Sequence, residues 1–179
     1  MKGIIFQLVE DYVTTALGAS QWAKVKEQAG VTAPFFVPMN DYPDSDITAL
    51  VKAASAETGK STDDIERGLG VFAIPKFAVA YNFYFKPHSC TKDFILKMDD
   101  VHQIATQTIA GAAPPRFKYE RPSESSLVVI YSSPRKMCSL LKGLIEGSAA
   151  HYNERVTITE RCCMKKNAAR CEIVMEFSK

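Results

Sequence analysis

Residues 114–135 read PPRFKYERPSESSLVVIYSSPR. Before Pro114 the apolar residues recur every three or four positions; from Phe117 onward they alternate. Phe117 and Tyr119, then Leu127 to Tyr131, predict two strands joined across Arg121-Pro122-Ser123-Glu124. Beyond them Ser133 is a natural helix N-cap, with Pro134 at the first helical position. That helix carries Met137, Leu140, Leu141, Leu144 and Ile145 inward. Val156 and Ile158 alternate with polar residues, as do Ile173, Met175 and Phe177, predicting a closing antiparallel pair around Lys165-Lys166-Asn167. The fold class is α+β, with one helix between two hairpins following a helical N-terminal part.

Upstream, Ile4, Ile5, Leu8, Val9, Tyr12, Val13 and Leu17 keep helical spacing and Gly18 is a stop. Ser20 caps a short helix with Trp22 and Val25, and residues 35–44 read as loop. Ser45 or Asp46 opens a helix closed by Gly59, and Ser61 or Thr62 opens the next. Gly68, Gly70 and Pro75 predict a bend, with Pro75 in the first turn of a new segment. A longer helix starts near Thr91, with Phe94, Met98, Val101, His102, Ala105 and Ile109 along one face.

One domain fits 179 residues, and 46% hydrophobic residues suffice for a core. A net charge of +2 gives no reason to expect a nucleic-acid partner, and no apolar run reaches membrane-span length. Acids at Glu10 and Asp11 exclude a secretory signal, so the expected compartment is the reducing cytoplasm, with the five cysteines free or metal-bound.

Of the three histidines, His88 and His151 read as surface residues, while His102 lies on an apolar helix stripe. Its plainer reading is a core side chain satisfied locally; its chemical reading is an axial ligand of haem iron. Tyr131, Ser133 and Arg135 form a second constellation, donors able to converge on a carboxylate; the plainer reading is an ordinary cap beside a solvated arginine. Together a histidine and a carboxylate clamp are what a non-covalently held haem needs. No Cys-x-x-Cys-His occurs, which excludes covalent attachment.

These residues carry a resemblance to the haem–nitric oxide/oxygen-binding domains, the H-NOX family, which are related to the haem domain of soluble guanylate cyclases. It rests on the opening Met1-Lys2-Gly3-Ile4-Ile5, Met98-Asp99-Asp100-Val101-His102, Pro114-Pro115-Arg116, and Tyr131-Ser132-Ser133-Pro134-Arg135 running into Leu144-Ile145-Glu146-Gly147. The resemblance covers the whole chain as a single haem-binding sensor domain. It implies a helical subdomain over about 1–60, and a haem-bearing part over about 61–179 built on a four-stranded antiparallel sheet with helices. It further implies a haem b whose iron is held by His102 and whose propionates are held by Tyr131, Ser133 and Arg135. Ile5, Val9, Phe77, Met98, Pro115, Leu140 and Leu144 would line the pocket, with Ile5 and Pro115 pressing on the haem face.

Oxygen-binding members carry a distal tyrosine where Leu140 stands here. An apolar pocket gives bound dioxygen no donor, so the resemblance points to nitric oxide, and also carbon monoxide, as ligand. Tyr81 and Tyr84 would supply a donor only if their segment folded inward. Nitric oxide would break the His102–iron bond and shift the subdomains. As in stand-alone bacterial members, a separate effector would read the change: a histidine kinase or a cyclic-di-GMP-metabolising enzyme. No enzymatic activity is expected, since no cysteine has a convincing histidine base.

Cys138, Cys162, Cys163 and Cys171 are the third feature, a candidate four-thiolate zinc site of the kind some bacterial members carry in this region. Adjacent strand residues face opposite ways, so Cys162 and Cys163 could join one site only at a turn or bulge; the plainer reading is scattered buried thiols. The alternative function is a thiol or zinc redox sensor on the same fold. Cys90 receives no role.

Overall fold

The N-terminal pattern becomes helix almost as spaced in the computed structural model, which describes residues 1–178. They form two units, Met1–Leu69 and Gly70 onward. In the first, α1 (Gly3–Leu17), α2 (Ala19–Gln28) and α3 (Asp44–Thr58) are followed by the start of α4 (Thr62–Ala80). Phe6, Val13, Val25, Ile47 and Leu50 are buried, and the Phe6 and Phe36 ring centroids lie 4.8 Å apart. Ser20 does not cap α2: Gly18, at φ +90°, ends α1 and begins α2 two residues earlier than the cap reading required. Ser61 does open α4. Its Oγ accepts from Asp64 N at 3.1 Å while Asp64 Oδ2 accepts from Ser61 N at 3.3 Å, a reciprocal cap.

The predicted bend at Gly68–Pro75 is absent, because α4 runs unbroken from Thr62 to Ala80 with Pro75 inside it. Within the second unit the reason is a close helix contact. A Cβ on Gly70 would lie 2.5 Å from both Leu140 O and Leu144 N, and one on Gly147 would lie 2.8 Å from Ile74 Cγ1. Gly70 is therefore an approach site for α8 (Cys138–His151) rather than a breaker. Pro75 cannot donate to the Val71 carbonyl, and that carbonyl lies against Gly147 of α8.

After α5 (Asn82–Phe85) the predicted long helix is two, α6 (Thr91–Leu96) and α7 (Met98–Thr108). Tyr119 causes the break. Its Oη donates to Ile95 O at 2.8 Å and accepts from Asp99 N at 3.3 Å. Those two groups are the i and i+4 partners of a continuous helix, so the phenol is inserted into the hydrogen-bond ladder.

The remaining elements are β1 (Arg116–Ser123), β2 (Ser126–Ser132), α8 (Cys138–His151), β3 (Arg155–Cys162) and β4 (Cys171–Ser178). The sheet is antiparallel throughout, in the order β1-β2-β4-β3. Central β2 pairs Tyr119↔Val129 on one side and Val129↔Ile173 on the other. Leu127, Ile173 and Met175 are completely buried, with Ile145 of α8 in the same core; each is worth about 1.5–3 kcal/mol against exposure. No helix among the described residues is long and apolar enough to cross a membrane.

Candidate functional site

His102 occupies the fifth position of α7. Its Nδ1 lies 2.9 Å from the Pro115 carbonyl. A carbonyl only accepts, so Nδ1 carries the proton and the lone pair is on Nε2. Burial pushes the imidazole pKa below its ordinary value, against the opposing pull of the Pro115 hydrogen bond. A neutral, oriented imidazole with a free Nε2 lone pair is the form that ligates a metal. The Phe117 ring lies beside it, centroids 5.2 Å apart. No residue of α7 is fully buried: His102 is half-buried, and Met98, Val101 and Ala105, with Ile109 just beyond the helix, form a half-buried apolar stripe. An apolar disc of haem size is what such a helix face lacks, so the residues fit the group.

The first turn of α7 is tied to β1. Asp99 Oδ1 accepts from Arg116 Nε at 3.0 Å and from Phe117 N at 2.8 Å, and Asp99 Oδ2 accepts from Arg116 Nη2 at 2.7 Å. The Arg116 fork holds the Asp99 carboxyl below the usual carboxylate range. The sequence reading missed this pair; an acid three residues before the histidine on one helix face was its available signal.

Tyr131 and Ser133, both buried, close β2. Ser133 is not the N-cap predicted for the next helix. The chain turns first: Lys136 N donates to Ser133 O at 3.1 Å and Lys136 sits at φ +52°. Helix α8 begins only at Cys138, with Met137 as N-cap. Pro134 therefore serves the second position of a turn, which needs the same φ as a helix start. Tyr131 Oη accepts from Met137 N at 3.1 Å, and burial pushes its phenol pKa up, so it remains a proton donor. Arg135 Nη1 donates to Ala113 O at 2.6 Å. Ala113 is two residues from Pro115, so one short segment meets Arg135 at one end and His102 at the other. The two constellations singled out in the sequence are thus joined through residues 113–115.

Phe77 on α4 and Leu144 on α8 are half-buried against the core of the second unit, and Leu140 is half-buried one turn before Leu144. Ile5 and Val9 stand on α1 of the first unit, Ile5 half-buried and Val9 buried. Tyr81 packs its ring 5.8 Å from Phe77, and Tyr84 lies 4.2 Å from Phe83.

Three of the four candidate zinc thiols meet. The sulfurs of Cys138, Cys163 and Cys171 all lie within 4.8 Å of one another, with Cys138–Cys163 at 3.4 Å and Cys163–Cys171 at 3.7 Å. Burial pushes the Cys138 and Cys171 thiol pKa values up. Cys162 does not join: it pairs with Glu172 in the ladder and its Sγ lies 3.5 Å from Arg170 O. A register shift between Glu160 and Cys162 bends the strand, but the chain then continues extended through Cys163, which turns inward alone. The donor set fits three zinc ligands, not a closed set of four thiolates.

Residues 2–160 match the family described as haem-NO-binding. Among curated proteins the chain is similar to soluble guanylate cyclase gcy-31 of Caenorhabditis elegans, 25% identical over 139 residues, 76% of this chain and 20% of that protein. It is also similar to soluble guanylate cyclase 89Da of Drosophila melanogaster, 27% identical over 140 residues, 75% of this chain and 20% of that one. The chain thus spans about a fifth of the length of these relatives. Among solved structures, an H-NOX protein from S. oneidensis in the Fe(II)NO ligation state has the same fold, with a TM-score of 0.93, 23% identity and 100% of each chain covered.

Proposed function

The chain belongs to the haem-NO-binding family, and we propose that it is a haem-based sensor of nitric oxide rather than an enzyme. Bound haem b would supply a ferrous iron able to take a diatomic gas. His102 would hold that iron through Nε2 while its Nδ1–H donates to the Pro115 carbonyl. Tyr131, Ser133 and Arg135 would donate to the propionates. Phe77, Met98, Pro115, Leu140 and Leu144 exclude water. None of these pocket side chains offers a hydrogen bond, which disfavours dioxygen and leaves nitric oxide and carbon monoxide as ligands. The gas signal would be carried by loss of the His102 hold, with Asp99 still tying the first turn of α7 to β1. A separate effector, a histidine kinase or a cyclic-di-GMP-metabolising enzyme, reads the shifted population.

The observation that carries this reading is the neutral, Nδ1-protonated His102 on a half-buried apolar helix face. Absorption spectra of the ferrous protein under argon, in air and with nitric oxide test it. The expected results are a haem spectrum, no lasting oxygen complex and a distinct nitric oxide complex, with His102→Gly losing haem unless imidazole is supplied. A His102→Gly variant with full haem and an unchanged ferrous spectrum would refute the ligand assignment; a long-lived complex in air would refute the gas assignment.

The three-sulfur cluster favours a second reading on the same fold, a thiol or zinc redox sensor with Cys138, Cys163 and Cys171 as the responsive set. Zinc near one per chain in protein purified without chelators supports it; zinc-free protein with thiols inert to mild oxidant removes it.

A further inference from the structure

Asp99 and His102 stand three residues apart on one face of α7, and both reach the same short run of backbone. His102 takes the Pro115 carbonyl; Asp99 takes the side chain of Arg116 and the amide of Phe117. Tyr119 Oη adds a tie to the Asp99 amide itself. Four groups, from Pro115, Arg116, Phe117 and Tyr119, therefore grip the first half of α7. We propose that Asp99 is a positioning residue: by clamping the first turn of α7 to β1, it fixes the geometry in which His102 donates to Pro115, and so sets how firmly His102 holds iron.

This rests on the haem reading of His102. The partner of a ligating imidazole's second nitrogen orients the ring and raises its basicity, and losing such partners typically costs about 10–100-fold in metal affinity. Here that partner is a backbone carbonyl, which cannot be placed by its own rotamer. It is placed by the neighbours that bind α7. The Asp99 carboxylate is suited to this because it accepts three hydrogen bonds and its side chain is only 20% exposed. Asp100 provides the contrast within the same turn. It is 67% exposed and pairs only loosely with Lys97, at 3.5 Å, so it has the same charge without the clamp.

The test uses the haem-loaded chain and three variants: Asp99→Ala, Arg116→Ala and Asp100→Ala. The iron–histidine stretching frequency of the ferrous, gas-free protein should fall in Asp99→Ala and Arg116→Ala, and His102 release under nitric oxide should speed up about tenfold. Asp100→Ala should match wild type in both. In haem-free protein, the Phe117 amide should exchange with solvent faster in Asp99→Ala alone of the two aspartate variants. Unmoved frequency and release rate in Asp99→Ala would overturn the proposal, as would an equal shift in Asp100→Ala, which would mean a general charge effect. Haem uptake by the wild type separates the two failures. Without uptake the haem reading falls and takes this proposal with it; with uptake and an unmoved stretch, only the positioning role falls.

Discussion

Replacing Tyr131 with phenylalanine isolates one oxygen atom at the centre of the 131–137 segment. Tyr131 is 3% exposed, and its Oη accepts the Met137 amide proton at 3.1 Å. Phenylalanine fills the same volume, so packing of the ring against Phe117 is retained. What is lost is the acceptor, and Met137 is itself only 8% exposed, so water cannot readily replace it. Stranding a buried donor costs about 1–3 kcal/mol. For a chain of this length each kcal/mol moves the melting temperature by about 2–4 °C, so the haem-free variant should melt roughly 2–12 °C lower. Calorimetry on haem-free protein measures that term by itself. Repeating it with haem bound adds whatever the phenol proton contributes to a propionate, and the deficit should widen. A haem-free variant as stable as wild type would refute the anchoring of the turn by Tyr131. A deficit that fails to widen with haem would refute its role in the clamp.

Arg135→Ala removes charge-assisted bonds worth about 1.5–3 kcal/mol each, so haem transfer to a scavenging protein should accelerate by at least roughly tenfold; unchanged transfer kinetics would exclude a propionate contact. Gly70→Ala sets a methyl 2.5 Å from α8 backbone and should cost about 1–3 kcal/mol in urea unfolding, because backbone cannot swing aside as a side chain does. The Asp99 carboxyl is held below its ordinary value of 3.8 by the Arg116 fork, so the folded state binds fewer protons than the unfolded one as the pH falls through that range. The clamp's contribution is therefore complete above about pH 4 and lost below it, and the stability gap between wild type and Asp99→Asn should shrink from pH 6 to pH 3. Leu140→Tyr should supply a distal donor and lengthen the lifetime of an oxygen complex in air, followed by its spectrum.

The alternation in Phe117–Tyr119, Val156–Ile158 and Ile173–Phe177, with the continuous apolar run Leu127–Tyr131 that is buried on both faces, was enough to place four strands. The spacing around His102 was equally legible. Three features were not, and each involves a partner far away in sequence. Pro134 after Ser133 suits a helix start and a turn equally, and only the Tyr131–Met137 bond decides between them. Gly70 reads as a breaker until α8 is seen against it. The cut between α6 and α7 has no local signal at all, since Lys97 is a good helix former; a phenol twenty residues from Asp99 makes it. Cys162 is the same lesson in the sheet, where a shift in pairing with β4 sets which sulfur turns inward.

The phenol wedged between α6 and α7 also makes α7 a lever arm. Met98 is the pivot, His102 lies about 6 Å along the axis and Thr108 about 15 Å, at the usual 1.5 Å rise per residue. A rigid rod turning at such a joint magnifies displacement in proportion to distance, so moving His102 by about 1 Å sweeps Thr108 through about 2.5 Å. Had the helix run straight through Lys97, the same push would have been resisted by the buried side chains of Phe94 and Ile95. Such a joint would confine motion to the arm, with the largest travel at the exposed tip at Thr106–Thr108.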